Sequence, residues 1–219
     1  MDLQKRRLQG GFTLVEIAIV LVIIGLLLGA ILKGQELIEN SRVKNAVNEI
    51  NGIKAAHYAY LDRYKRLPGD DGPLATLTAR GGNWSGVTAA GNNNGVLAIT
   101  DAETFTGGGE GTAYFQHLRA AGFITGNHTL TGVNVLPRNA FGGLTGITNA
   151  NVLGYTLDTL MVCLGSVPGK AAAAIDTQID DGRPNSGNVR ATQGTNNADP
   201  GAVATVYSEA QSYTVCSAI

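Results

Sequence analysis

The sequence is short of side chains that do chemistry. Its 219 residues hold two cysteines, three histidines and one tryptophan, and only 15% are charged. Cys163 and Cys216 form no CxxC or CxxCH motif and have no metal-ligand spacing, which excludes a zinc ribbon, thioredoxin-like exchange and covalent haem. His57, His117 and His128 are scattered without paired metal spacing; His57 is expected to pack between a long helix and a head, the other two to lie on a surface or helix face. No nucleophile elbow, Ser/His/Asp arrangement or supported acidic pair appears, so an enzyme has little to rest on. With sixteen basic and seventeen acidic residues the net charge is −1, which leaves no basic surplus for nucleic acid. The run Gly107-Gly108-Gly109-Glu110-Gly111 lacks the lysine of a phosphate cradle and reads as a flexible loop.

What the chain does have is one long apolar run. Ile17 to Leu32 carries no charge, and Glu16 stands at its start behind Lys5, Arg6 and Arg7. The basic segment has no separate apolar core, so it is not the usual cleaved secretory signal. Phe12 to Leu32 is long enough to cross a bilayer as a helix, and the positive-inside bias holds the basic end in the cytoplasm. An ionised Glu16 about one turn inside the membrane costs roughly 2.5–3.5 kcal/mol on insertion scales unless it finds a partner. A carboxylate kept at such a cost points to function.

The helix is expected to run on beyond the membrane. Val43, Val47, Ile50, Ile53, His57, Tyr60 and Tyr64 recur at steps of three or four, with Arg42, Lys44, Asn48, Glu49, Lys54 and Asp62 between them, and Pro68-Gly69 stops the pattern. That divides the chain into a leader 1–11, a helix 12–66 with a membrane half 12–32, and a head 67–219. The Asn, Gly and Thr density from Arg80 to Thr112 predicts short strands joined by exposed loops, with Trp84 anchoring a Gly-rich hairpin. Helical spacing appears over Thr112–Ile124 with Gly122 near its end, and again from Pro168, read as a first helical residue. Cys163 and Cys216 both fall on the expected periplasmic side, where a disulfide is expected; the alternative is two separate buried thiols.

Gly10-Gly11-Phe12-Thr13-Leu14-Val15-Glu16, behind a basic leader and ahead of an apolar helix, resembles the signal of bacterial type IV pilins and the pseudopilins of type II secretion. The resemblance implies an α+β pilin fold: a long N-terminal helix packed on an antiparallel sheet, with a disulfide-closed C-terminal region. It implies that a prepilin peptidase cuts between Gly11 and Phe12 and methylates the new Phe12 amine. Losing Asp2, Lys5, Arg6 and Arg7 with the leader takes the net charge to −3. Glu16 would then neutralise the Phe12 amine of a neighbouring subunit, each charge relieving the other's burial cost. The implied partners are other copies of the chain, other pilins, the inner membrane and a pilus or type II secretion assembly machine, with no nucleic-acid site. The implied location is the bacterial inner membrane, N-terminus cytoplasmic, and then a periplasmic or surface filament. The expected function is that of a structural subunit of a type IV pilus serving adhesion, motility or DNA uptake; the alternatives are a pseudopilin of type II secretion and a monomeric membrane-tethered binding protein. Major pseudopilins bind calcium, which makes Asp70, Asp71, Asp180 and Asp181 candidate ligands beside a plain reading as solvated turns; no other cofactor is implied.

Overall fold

The computed structural model describes Gly11 and residues 13–219. Its elements are four helices, α1 (Leu14–Tyr64), α2 (Leu74–Thr78), α3 (Gly111–Ala120) and α4 (Gly169–Ile179), and four strands, β1 (Thr145–Ala150), β2 (Thr159–Pro168), β3 (Val189–Gln193) and β4 (Ser212–Ala218). The chain forms two compact units, one reaching to Ser41 and the other running from Arg42 to Ile219.

In the second unit, α1 buries Val43, Ala46, Ile50, Ile53, Ala56, His57 and Tyr60. These steps of three and four place one stripe against the core. Polar residues of α1 tie its edges to the sheet. Lys54 Nζ donates to Ser217 Oγ of β4 at 2.9 Å, and the Thr145 hydroxyl of β1 donates to Glu49.

The strands form one antiparallel sheet in the order β1-β2-β4-β3. Met161 to Leu164 of β2 are all buried. Successive side chains of a strand point to opposite faces, so β2 is covered on both. β4 lies between β2 and β3 and buries Tyr213 to Ser217. Cys163 and Cys216 stand directly opposite each other on β2 and β4, with Cα atoms 4.0 Å apart, and are joined by a disulfide. Closing a loop with a sequence separation of 53 contributes about 4 kcal/mol in the chain-entropy model. Cys216→Ser is therefore expected to lower the unfolding free energy of the head by about that amount in guanidinium titrations of the full-length protein in detergent. A loss below about 1 kcal/mol would mean the sheet alone closes the loop.

Local sequence sets the helix ends. Gly122, at φ +79, terminates α3. The Phe123 N–H returns to the Leu118 carbonyl at 2.9 Å and the Gly122 N–H to Arg119 at 3.0 Å, as glycine-capped ends do. Pro168 departs from expectation: it closes β2 and caps α4 from outside with ψ 144, and Gly169 is the first helical residue.

The Arg80–Thr112 region contains no strand among the described residues. It folds as two 3-10 turns, Gly82–Gly86 and Asp101–Glu103, with irregular connections. Its polar density encodes side-chain-to-backbone bonds in place of a ladder, such as Glu110 accepting from the Asn92 and Ala98 N–H groups. Gly107 is likewise packed and not a loose loop, since a Cβ there would meet the Gly132 carbonyl oxygen.

Candidate assembly site at the start of the long helix

Thr13 and Glu16 close the first turn of α1. Glu16 Oε2 accepts from both the Thr13 N–H and its hydroxyl at 2.8 Å, and the Glu16 N–H reaches the Thr13 hydroxyl at 3.2 Å. With Leu14 as the first helical residue, this is a reciprocal capping box at the N-cap and N3 positions. The T-x-x-E spacing was open to view in the sequence, yet there Glu16 was assigned only to a neighbouring subunit. In the single chain its carboxylate already has intramolecular donors. Phe12, the other half of the expected pair, and the leader through Gly10 lie outside the described residues.

Behind Glu16 the helix presents apolar side chains that nothing among the described residues covers. Leu14 is 92% exposed and Leu26 71%. An 18-residue window reaches a mean hydropathy of 3.0, and none of it is buried. A contiguous surface of this kind demands lipid or other helices. The next charges, Lys33 and Glu36, pair with each other at 2.7 Å.

The head carries the remaining candidates. Asp70 and Asp71 are both 2% exposed, so neither is a solvated acid. Asp70 accepts from the Asn94 N–H at 3.0 Å and the Gly95 N–H at 2.8 Å. Asp71 accepts from the Tyr60 hydroxyl at 2.7 Å and pairs with Arg80 at 2.8 Å. The Arg80 guanidinium also lies over Tyr64 and Trp84, 4.7 and 4.5 Å from the ring centroids. Trp84 is a core anchor, as expected, but it sits in a 3-10 turn and not in a hairpin. These acids staple the loop after α1 to the aromatic cluster.

Asp180 and Asp181 fall in a different place and gain a third acid, Asp176 of α4, with one oxygen from each within 4.8 Å of the others. Asp176 accepts from the Gly182 N–H and the Tyr207 hydroxyl, Asp180 from the Asn188 and Val189 N–H groups, and Asp181 from the Arg183 N–H and the Ser186 hydroxyl. These backbone and hydroxyl donors shape the turn, and each carboxylate keeps further lone pairs. Asp70 and Asp71 do not join the group. Burial raises the Asp176 carboxyl to about 6. Asp176 was missed because a lone acid in an alanine-rich helix gives no sequence signal of burial.

His57 is buried against Tyr114, their rings stacked with centroids 6.0 Å apart. His117 lies on the α3 face, and its full burial there was not foreseen. Its Nδ1 accepts from the Gly69 N–H at 3.0 Å and its Nε2 faces the Ala89 carbonyl at 3.1 Å. A backbone N–H can only donate and a carbonyl only accept, so the partners fix the neutral tautomer with the proton on Nε2. Burial lowers both histidines to about 4. No two of the three histidines form a metal-ligating group among the described residues.

Comparison with known proteins bears on the first of these sites. Residues 6–32 match the family model described as the prokaryotic N-terminal methylation motif. This is the prepilin-type signal of type IV pilins and pseudopilins. No curated protein matches the chain. The signal, the long apolar helix, the antiparallel sheet and the disulfide together make an α+β, pilin-like protein.

Proposed function

We propose that the protein is a structural subunit of a type IV pilus, cut between Gly11 and Phe12, methylated on the Phe12 amine, and polymerised through the apolar half of α1. The observation that carries this reading is Glu16: it is the only charged residue between Thr13 and Leu32, on the half of α1 whose apolar residues are exposed. In a plain anchor the carboxylate would serve only the capping box with Thr13. A filament core gives it a further use, because the free amine made by cleavage needs a counter-charge once water is excluded. The head supports a pilus over a secretion pseudopilus through its disulfide and its many loops, a build suited to an exposed fibre. In this reading the protein inserts in the inner membrane with a cytoplasmic leader, and prepilin peptidase and the pilus assembly machine are its partners. Its role is structural and not catalytic.

Processing is tested first. Mass spectrometry of membrane-associated protein should find N-methylated Phe12 at the new terminus. Gly11→Val should leave the leader attached, because the cleavage site is expected to need a residue without a side chain. A chain still starting at Met1, or cut elsewhere, would remove the basis for filament assembly and leave a tethered monomer as the better reading. Fibres sheared from cells and containing this chain would support the pilus; fibres formed only on overproduction with a secretion apparatus would support the pseudopilus.

A further inference from the structure

His117 of α3 is fully buried and joins two segments that cross in the head. One, residues 67–73, follows α1; the other, residues 88–95, follows the Gly82–Gly86 turn. Nδ1 accepts from the Gly69 N–H of the first segment, and Nε2 donates to the Ala89 carbonyl of the second. The segments also hold each other. The Gly91 N–H donates to the Asp71 carbonyl at 3.0 Å, the Asn93 N–H donates to the Asp70 carbonyl at 2.9 Å, and the Asp70 carboxylate accepts from Asn94 and Gly95. The crossing leaves no room for side chains: a Cβ on Gly72 would run into the Gly91 carbonyl oxygen, and one on Gly91 into the Asp70 backbone. Gln116, beside His117, fixes the second segment separately, its Oε1 accepting from the Thr88 and Ala89 N–H groups at 3.0 Å each. The first segment has only His117 to tie it to α3 in this way.

The ring is enclosed by Tyr60 of α1 and by Trp84, with centroids 6.1 and 5.8 Å away. Two charges act on it. Asp71 favours a proton on the ring and Arg80 opposes one, and these two are paired with each other at 2.8 Å. The Tyr60 hydroxyl donates to Asp71, and the Asp70 carboxylate is turned to Asn94 and Gly95. Burial outweighs the Ala89 bond and the pull of Asp71, and lowers the ring to about 4. An imidazolium is a donor at both nitrogens, so no rotation of a protonated ring lets it accept from Gly69.

We propose that His117 is a proton-operated latch: a proton on its ring frees residues 69–71 from α3 and opens their crossing with residues 91–95 while the sheet stays paired. Neither segment contributes a strand, and β2 and β4 carry their own tie in the disulfide. The loop after α1 therefore loosens in mildly acidic surroundings before the fold is lost. All these residues belong to the head unit, so the latch does not depend on the filament reading.

Hydrogen exchange of the full-length protein in non-ionic detergent, read by mass spectrometry and corrected for intrinsic amide rates, tests it. With the ring near 4 when closed and at an ordinary 6.5 when open, the opening constant of amides in 69–72 and 91–95 should rise about twentyfold from pH 7 to pH 5. Their exchange should ignore low concentrations of urea, as local openings do, whereas β2 and β4 amides should follow urea as global unfolding does. His117→Gln keeps an acceptor for Gly69 and a donor for Ala89 but takes up no proton, so its loop opening should be equal at both pH values. Loop amides that respond to urea as β2 and β4 do would overturn the latch, as would no rise between pH 7 and pH 5, or a rise retained in His117→Gln. The pH and urea comparisons use the wild-type chain and decide the matter if the variant fails to fold.

Discussion

Glu16→Ala should yield a subunit that inserts normally and is nearly absent from fibres. Removing the carboxylate eases insertion by roughly 2.5–3.5 kcal/mol and deletes half of a capping box, a loss of about 1 kcal/mol that a helix of 51 residues tolerates. On the proposed reading it also removes the counter-charge for the Phe12 amine of a neighbouring subunit. The capping geometry supplies a sharper control. Glutamine also serves at N3 of a capping box, so Glu16→Gln keeps the bond to Thr13 and loses only the charge. Both variants should therefore cut surface fibres by about an order of magnitude or more, the effect of leaving one buried charge unpaired. Fibre counts by electron microscopy, with membrane fractionation to confirm insertion, decide it in a strain lacking the wild-type chain. Full fibres from the Gln variant would reassign Glu16 to helix capping. Full fibres from the Ala variant would remove its assembly role altogether.

Acid should unfold the head. His117 is held near 4 in the folded state against an ordinary 6.5. The unfolded chain therefore takes up a proton first, and stability present above about pH 6.5 is lost progressively as pH falls toward 4. The shift corresponds to about 3 kcal/mol for His117. His57 acts in the same direction. The geometry gives the cause without any titration argument: a proton on His117 Nδ1 would face the Gly69 N–H, donor against donor. Asp176 opposes the trend, since its raised carboxyl favours the folded state once protonated below about 6, and Glu49 and Asp199, also raised by burial, act with it; the two imidazoles carry the larger shifts. Guanidinium midpoints of the full-length protein should drop markedly between pH 7 and 4.5. His117→Gln, which can still accept from Gly69 and donate to Ala89, should flatten that slope. Equal midpoints at both pH values would show that these imidazoles are not held neutral by the fold.

Legibility divided along physical lines. The buried stripe of α1 could be read because a 3.6-residue period survives in the sequence: Val43, Ile50, Ile53, His57 and Tyr60 fall on that period and all are buried. Val47 and Tyr64, from the same pattern, are partly buried against the core. The disulfide followed from having two cysteines in one compartment. The strands were not legible. β1 reads Thr-Gly-Ile-Thr-Asn-Ala with both threonines buried, so no polar alternation marks it, while the Asn/Gly/Thr-rich stretch that resembled strands folds by side-chain bonds to its own backbone. The Asp71–Arg80–Tyr60 network was hidden for another reason. Two aspartates beside glycine look like a solvated turn, and only the closure of the 3-10 turn beneath them brings Arg80 and the aromatic rings around Asp71. At the start of α1 the Glu16 charge is conspicuous, while its bond to Thr13 depends on where the helix begins, and the sequence alone leaves that boundary open.

The strand order imposes a schedule on synthesis. β2 can pair with β1 once both are made, but β2 and β3 do not pair with each other, and each waits for β4 to come between them. A ribosome must add residues 169–211 before β2 can meet its central partner, and through that interval Cys163 remains a thiol in search of the right mate. Pairing across such a separation is slow to nucleate, and two waiting strands offer open edges to other chains. Until Cys216 and β4 are made, β2 therefore keeps one edge open and Cys163 its thiol.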